Sequence, residues 1–281
     1  MLTVVMLAVP VAVRAQGTFT PIDYPGAANT WAMGINPQGD IVGYWGLNGV
    51  QHGFFLGRDA SVPVSIDKPG ACRTDAYAIN PAGDIVGTYN DCTTGAQHGY
   101  LLRHGVFTSI DVPDATGTGA FGINPEGDIV GHFVSPMGKM NGFLLRNGRF
   151  TKYANDAAEA TDNMTCGFGI DSQGQIVGHY KDDRGTHGYL LAKTGFTSID
   201  IEGGMDVSTY GINPEGDIVG FYTELATGKI HGFSRDKAGV VTQVDAPDAV
   251  YTYVMKNNPM GDLVGYYRDA SKKWHGFVMK R

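Results

Sequence analysis

A motif reading Asn-Pro-Glu-Gly-Asp-Ile-Val-Gly recurs along the whole 281-residue chain. Its first position is filled six times, by Asn36, Asn80, Asn124, Asp171, Asn213 and Asn258. The spacings between them are 44, 44, 47, 42 and 45 residues. A period in this range is typical of propellers and solenoids, in which each repeat is one supersecondary unit stacked on its neighbours. The chain is therefore predicted to consist of six copies of one unit.

Each copy contains four short strand-like runs, named A to D in chain order. In the second copy we predict them at residues 76–80, 84–89, 98–103 and 106–112. The A–B connection, Asn80-Pro81-Ala82-Gly83, has the residues of a type I turn that closes on a left-handed glycine. The C–D connection of the third copy, Asn147-Gly148, is a strong hairpin signal.

Six such units predict an all-β chain with one domain, a single six-bladed β-propeller with four antiparallel strands per blade, over residues 16–281. A parallel β-helix is the alternative, but its coils are shorter and lack these hairpins. The last copy stops after strand C, at Trp274 to Met279, and the missing fourth strand appears at the other end of the chain, at Phe19 to Tyr24. We expect this N-terminal strand to close the last blade, because pairing removes the open edge.

The start of the chain, Met1 to Val13, is almost entirely apolar, and Val13 and Ala15 are small residues at positions suited to signal-peptide cleavage. Residues 1–15 are therefore predicted to be a signal peptide, with a buried N-terminal strand as the alternative. The protein is expected to be secreted, extracellular or periplasmic, and monomeric. A formal net charge of −7 disfavours binding to nucleic acid, and no other apolar run is long enough for a membrane span.

A histidine opens strand C in five copies, and an aspartate lies on strand D in the same five copies. The pairs are His52 with Asp67, His98 with Asp111, His187 with Asp200, His231 with Asp245, and His275 with Asp23. The third copy lacks both and has Asn141 and Ala154. Two-residue hairpin turns make the members of each pair direct cross-strand neighbours. A catalytic dyad or a metal site is possible chemically, but five copies spread around a ring cannot meet at one substrate, so we interpret them as structural pairs.

The unit GINPxGDIVGxY, followed by HGFLL and FTxIDxP, resembles the HAF-type extracellular repeat, which is named after a His-Ala-Phe triplet. Here the triplet reads His-Gly-Phe or His-Gly-Tyr, as at His98-Gly99-Tyr100, so the match is to a variant. The resemblance covers Gly17 to Arg281. It implies secretion and a propeller-like fold, and it implies no established reaction and no catalytic residues.

In a propeller of this kind the A–B and C–D turns lie on one face, where they are expected to be short and nearly uniform. We call this the turn face. The D–A and B–C loops lie on the other, variable face, which is predicted to carry the site. Its D–A loops are acidic, and the candidate ligand-binding residues are Asp75, Asp156, Glu159, Asp162, Glu202 and Asp206. Together they could bind Ca²⁺ or a cationic ligand, but no Asp-x-Asp-x-Asp-Gly loop is present, and we favour the interpretation that they are solvated loop acids.

One position of strand A carries large apolar residues, namely Met33, Tyr77, Phe121, Phe168, Tyr210 and Met255. Strand alternation places them in the channel or in the core between blades, and we favour the core. Copies three and four depart most from the repeat, at Asn141, Ala154, Asp171, Gln175 and the long connection 155–165. This region is our first choice for a distinctive site, with neutral drift as the alternative.

The chain has three cysteines. Cys72 precedes strand A of the second copy and Cys92 follows its strand B, so antiparallel pairing predicts a disulfide between them. Cys166 is left unpaired. A catalytic thiol needs a neighbouring histidine, and the repeated histidines lie on outer strands, so Cys166 is interpreted as a structural cysteine.

No singular catalytic motif is present, such as a nucleophile elbow, a zinc signature or a phosphate loop. The favoured function is a secreted, non-enzymatic binding module that recognises a glycan, a peptide or an envelope protein through its variable face. The alternative is an extracellular hydrolase, lactonase or polysaccharide lyase with a site at the central channel mouth. Such an enzyme could depend on a metal ion. That alternative is an analogy at the level of the fold.

Overall fold

The computed structural model describes residues 17–155 and 164–281. The predicted signal peptide and three of the candidate acids, Asp156, Glu159 and Asp162, lie outside the described residues. In the described ranges, twenty-four strands form six antiparallel sheets of four strands each. Within the described ranges no helix is long and apolar enough to cross a membrane. The predicted six-bladed β-propeller is confirmed.

Blade 1 contains β2 (Asn29–Ile35), β3 (Ile41–Leu47), β4 (Val50–Leu56) and β5 (Val64–Ile66). Blade 2 contains β6 (Ala71–Ile79), β7 (Ile85–Asp91), β8 (Gln97–Arg103) and β9 (Val106–Ile110). Blade 3 contains β10 (Gly117–Ile123), β11 (Ile129–Val134), β12 (Met140–Arg146) and β13 (Arg149–Tyr153).

Blade 4 contains β14 (Thr165–Ile170), β15 (Ile176–Asp182), β16 (Gly185–Ala192) and β17 (Gly195–Ile199). Blade 5 contains β18 (Gly204–Ile212), β19 (Ile218–Glu224), β20 (Ile230–Arg235) and β21 (Val241–Val244). Blade 6 contains β22 (Tyr251–Asn257), β23 (Leu263–Arg268) and β24 (Trp274–Lys280), and it is completed by β1 (Thr18–Ile22).

Ring closure occurs as expected from the sequence. β1 pairs antiparallel with β24, with Phe19 opposite Met279 and Ile22 opposite Gly276. The strand ends before the predicted Tyr24, because the chain turns at Pro25 and Gly26 and the amide of Ala27 donates to the carbonyl of Tyr24. Phe19 packs on Phe277 with ring centroids 5.2 Å apart, so the closure also buries apolar surface.

Each inner strand has an irregularity that the sequence did not predict. In blade 2 the register between β6 and β7 shifts between Ala76 and Ala78, so Tyr77 is an extra residue without an opposite partner. The other five blades shift at the equivalent position. A β-bulge of this kind re-aims the side chain of its extra residue. The bulge therefore determines, in each blade, the direction in which one side chain near the axis points.

The A–B turns are built by their repeated Asn and Asp. Asn80 Oδ1 accepts from the amide of Asp84 at 2.9 Å, and Gly83 closes the turn with φ +82. Arg103 then donates twice to the Asp84 carboxylate, at 3.0 and 2.6 Å. These bonds hold the pKa of Asp84 below its usual value. The repeated aspartate is thus committed to the turn in blade 2.

The last glycine of the repeated Gly-Asp-Ile-Val-Gly lies where strands B and A approach closely. A Cβ atom on Gly43 would overlap the carbonyl oxygen of Trp31 and the ring of Phe54. Backbone atoms meet the equivalent glycine in every other blade. Only glycine fits, because the obstructing atom belongs to the backbone and cannot rotate away.

We expect Gly43→Ala to lower the stability by about 1–3 kcal/mol or more, the range of an overpacked core. Gly46→Ala, in the same strand, is the matched control, since its Cβ would meet nothing closer than 3.5 Å. Thermal unfolding of both variants measures the difference. Equal melting temperatures would show that the inner strands can separate to make room.

Candidate functional site

The His–Asp pairs lie on the outer half of the blades. His98 Nδ1 is 2.7 Å from Asp111 Oδ1, and the ring of His98 stacks on Tyr89. The distances in the other four blades are 2.7–2.9 Å, for His52 with Asp67, His187 with Asp200, His231 with Asp245 and His275 with Asp23. Each pair joins strands C and D of a single blade, so the ten residues form five separate rim contacts. Their purely structural role stays a prediction.

Cys72 and Cys92 form a disulfide, with Cα atoms 5.0 Å apart. The bond links the variable-face ends of β6 and β7 and lengthens their ladder, so that Ala71 pairs with Asp91. Strand A of blade 2 begins at Ala71, five residues earlier than the predicted residue 76.

The assignment of Asp75 to a loop is wrong, because every inner strand includes the equivalent position. Asp75 lies within β6 and is 0% exposed, whereas Glu202 and Asp206 are exposed. Asp206 has φ +50 and accepts from the amide of Thr186, so its side chain serves the loop conformation. Across residues 17–155 and 164–281 no group of three or more His, Cys, Asp or Glu is placed to hold a metal ion. Calcium binding therefore gains no support from the described candidate acids.

The bulged residues are largely buried, and Phe121 and Phe168 belong to one hydrophobic core cluster against which Tyr77 and Tyr210 pack, as the preference for a core position predicts. Tyr77 contacts Phe121 at 4.6 Å, Phe121 contacts Phe168 at 5.3 Å, and Phe168 stacks on Tyr210 at 4.2 Å between ring centroids. These contacts connect four successive inner strands at one level. The four rings therefore form one continuous aromatic cluster on the inner strands of blades 2 to 5.

On the variable-face side of this aromatic cluster, two sets of side chains surround the axis. We call them the axial mouth. The inner-strand set is Trp31, Asp75, Gly119, Cys166, Ser208 and Tyr253. The opposite residues on strand B are Tyr44, Thr88, His132, His179, Phe221 and Tyr266. Arg73 and Trp274 lie at its edge.

The Arg73–Asp75 pair is the charged element of the mouth. Arg73 Nε donates to Asp75 Oδ2 at 2.7 Å, while Asp75 Oδ1 is buried without a hydrogen bond of regular geometry among the described residues. The hydroxyl groups of Thr88 and Tyr77 are close enough to lower the pKa of the carboxyl group. Burial raises the pKa of Asp75 to about 6, and Arg73 offsets only part of that effect. A shifted, incompletely paired carboxyl group near a mouth is a candidate functional group.

Tyrosines from across the ring approach this pair. Burial raises the pKa of Tyr44, and the neighbouring Tyr77 and Asp75 raise it further. Burial likewise raises the pKa of Tyr266 in blade 6, with contributions from Tyr44 and Tyr210. Since these residues belong to blades 1, 2, 5 and 6, their hydroxyl groups gather around the axis.

The wall of the mouth at blades 1 and 6 is aromatic. Trp31 stacks on Tyr44 at 4.9 Å, and Tyr253 stacks on Tyr266 at 4.7 Å. Trp274 contacts Tyr266 edge to face at 5.5 Å and carries the guanidinium of Arg268 over its ring. The five rings are all half-buried, so part of each remains open to a ligand.

From the turn face the channel is closed by Lys256, which sequence reasoning missed. Its Nζ donates to the carbonyl oxygens of Phe168 and Tyr210, at 2.6 and 2.7 Å. Burial lowers the pKa of Lys256 to about 7. The sequence did contain a signal for Lys256, because the other five copies have glycine or alanine at this position. They are Gly34, Ala78, Gly122, Gly169 and Gly211.

Two further residues missed from the sequence are His132 and His179. The repeated histidines lie on strand C, but these two lie on strand B, and His179 is directly opposite Cys166. Cys166 is free and buried. The expectation that it has no histidine nearby is therefore wrong, because His179 lies on strand B and not among the repeated histidines of strand C.

The turn face is less uniform than expected. Blade 1 has a long C–D connection over residues 57–63 and an outer strand of only three residues. A cavity of about 610 Å³ opens there between blades 6 and 1, beside Ile35, Leu56, Arg58, Val278 and Lys280. Its lining residues include no buried carboxyl or imidazole with a shifted pKa. We place the candidate site at the mouth for that reason.

Neither a family model nor a curated protein matches this sequence. The resemblance to the HAF-type repeat therefore stays a prediction.

Solved structures do resemble the chain. An arginine-to-alanine mutant of AofleA from Arthrobotrys oligospora is 13% identical, with a TM-score of 0.56 over 93% of this chain and 86% of that one. The putative TolB from Agrobacterium tumefaciens is also 13% identical, with a TM-score of 0.56 over 89% and 90%. A mutant of Aleuria aurantia lectin in complex with Fucalpha1-6GlcNAc is 8% identical, with a TM-score of 0.54 over 89% and 91%. At these identities the likeness establishes the shared propeller fold.

The Asp75 carboxyl group should make stability depend on pH. Its folded pKa of about 6 lies above the unfolded value, so the folded state binds more protons and stability falls as pH rises from about 4 to 7. A shift of this size corresponds to roughly 2–3 kcal/mol. We expect Asp75→Asn to flatten the melting temperature over this window, while Glu202→Gln at an exposed site leaves the profile unchanged. Parallel profiles for wild type and Asp75→Asn would contradict the prediction.

Proposed function

We propose that this protein is a secreted carbohydrate-binding propeller that holds its ligand at the axial mouth. The observation that carries the proposal is the combination at one place of half-buried aromatic rings with an incompletely paired carboxylate. Pockets for small ligands typically combine apolar walls with a few polar groups that fix orientation. The mouth has both.

The walls suit the apolar face of a sugar ring. Aromatic side chains provide large, flat contact areas, and a polar atom at the ring edge can remain hydrated or bind a hydroxyl group. Trp31, Tyr253 and Trp274 provide such faces at blades 1 and 6. Their rings are already fixed by stacking, so little conformational freedom is lost when a ligand binds.

The polar groups suit hydroxyl-rich ligands. Asp75 Oδ1 is buried without a hydrogen bond of regular geometry among the described residues, so a ligand hydroxyl that donates to it would satisfy an acceptor that is otherwise costly. Arg73 is partly exposed beside it and can donate further bonds. A neutral polyol fits this arrangement better than a carboxylate does, because the Asp75 charge repels anions.

Two observations support the wider setting. The Cys72–Cys92 disulfide suits an oxidising compartment, in agreement with the predicted signal peptide. The lectin to which the chain is similar is in complex with a fucosylated sugar, and it supports the choice of ligand class only through the shared fold. A peptide or an envelope protein remains the alternative ligand.

Asp75 also supports a second candidate, an extracellular enzyme that cleaves carbohydrate. A carboxyl group with a pKa of about 6 can take up or give a proton near neutral pH, as a general acid or base must. Release of reducing or unsaturated ends from a polysaccharide, abolished by Asp75→Asn, would favour the enzyme. Saturable binding without turnover favours the binding module.

A matched pair of tryptophans tests the binding site. Trp274 lies at the mouth, whereas Trp45 lies on the rim, stacked between Tyr24 and His52. On an immobilised glycan array, followed by calorimetry with the best ligand, we expect Trp274→Ala to weaken binding at least about tenfold through the loss of stacking. Trp45→Ala should leave the affinity within about twofold. Equal loss in both variants, or no glycan bound by the wild type, would contradict the proposal.

A further inference from the structure

The cavity between blades 6 and 1, which we call the turn-face cavity, lies where blade 1 departs from the repeat. In blade 2 a two-residue turn joins strands C and D, so that Arg103 pairs directly with Val106. In blade 1 strand D begins only at Val64, opposite Phe55, and residues 57–63 form a loop between the two strands. This loop forms one wall of a space of about 610 Å³, a volume typical of pockets that hold small molecules.

The inner wall of the turn-face cavity is the hydrophobic core that the two blades share. Ile35, Ile41 and Leu56 line it from blade 1, and Ile22 and Val278 line it from blade 6. All five belong to one core cluster or pack against it. An apolar chain that enters the cavity would therefore contact side chains that are already fixed by packing, so little conformational freedom would be lost on binding.

One cation at this cavity, Arg58, is released from the ion pair that its counterpart in blade 2 makes. There Arg103, at the end of strand C, donates to the carboxylate of Asp84. Blade 1 has Gly57 at that position, and its turn carboxylate, Asp40, accepts at 3.0 Å from the backbone amide of Arg58 instead. The guanidinium of Arg58 makes no ion pair or hydrogen bond with the described residues, so it can bind a ligand.

A second cation, Lys280, occupies the position of Arg103 in blade 6. The turn carboxylate of that blade, Asp262, accepts from Asn258 Nδ2 at 3.3 Å. Within the described part of the chain the ammonium group of Lys280 forms no bond with Asp262 and has no other hydrogen bond or ion pair. It is therefore a second positive charge at the cavity that no carboxylate neutralises directly.

The carboxyl groups at the cavity already have partners. Asp23 lies 2.9 Å from Nδ1 of His275 and 3.4 Å from Nζ of Lys273, and Asp262 is bonded within its own turn. Cations also outnumber acids among the lining residues, which include Arg58, Lys280 and Arg281 against Asp23 and Asp262. The charge pattern therefore favours an anion at the rim, next to an apolar inner wall.

We propose that the turn-face cavity binds a carboxylate that carries an apolar chain, of the class of a medium-chain fatty acid. The chain lies against the core cluster, and Arg58 and Lys280 bind the carboxylate. Guanidinium and ammonium groups form charge-assisted hydrogen bonds with carboxylates, and arginine can form two in parallel. The lining residues include no aromatic ring on which a sugar could stack, so this site differs in ligand class from the mouth on the opposite face.

Calorimetric titration of the purified protein with hexanoate, octanoate and decanoate, below the concentrations at which they form micelles, tests the proposal. We expect the affinity to rise about two- to fourfold for each added methylene group, because each one buries apolar surface. Octanol has the same chain as octanoate without the charge, so it should bind at least about fivefold more weakly. An affinity that does not depend on chain length, or no binding of decanoate, would overturn the proposal.

Variants at exposed positions place the ligand without disturbing the core. Arg58→Gln and Lys280→Gln should each weaken decanoate binding at least about fivefold and leave octanol binding within about twofold, because they remove only a charge. Ala60→Trp, in the loop over the cavity, should block both ligands. Arg149→Gln is the matched control, since it removes an exposed arginine from the same face of blade 3.

Unchanged decanoate binding in Arg58→Gln and Lys280→Gln, full binding by Ala60→Trp, or an equal loss in Arg149→Gln would contradict this assignment. Thermal unfolding confirms that each variant is folded. Glycan binding at the mouth is a separate readout, so either proposal can fail without the other.

Discussion

The antiparallel pairing of β1 with β24 holds the two ends of the chain together, and the geometry of the axis depends on it. With Phe19 opposite Met279, the last blade acquires its fourth strand and no blade keeps an open edge toward a gap. Six inner strands are thereby forced to one centre. Side chains that are far apart in sequence, such as Tyr44 and Tyr266, meet there because the ring is closed.

The bulge in every inner strand determines what the centre contains. Each bulge leaves one residue, such as Tyr77, without an opposite partner on strand B. Four of these residues, Tyr77, Phe121, Phe168 and Tyr210, pack against one another in an aromatic cluster next to the mouth.

Residues that maintain the fold recur around the ring, whereas residues with a proposed role in function depart from the repeat. The recurring residues include the turn asparagine of five blades and the close-packed glycine of strand B in all six. The positions around the mouth differ from blade to blade, with Asp75 in blade 2, Cys166 in blade 4 and Tyr253 in blade 6. Because the six equivalent positions all face one axis, they can present a carboxyl group, a thiol and a phenol to neighbouring parts of the same opening.

The sequence alone determined the number of blades, the four-stranded unit and the closure, because these follow from a period of about 44 residues and from hairpin turns that act locally. The register of the His98–Asp111 pair was equally local. Which loop acid would be buried, and which histidine would face Cys166, depended on the bulge and on contacts between blades. Such contacts join residues dozens of positions apart, and only the closed ring brings them within reach.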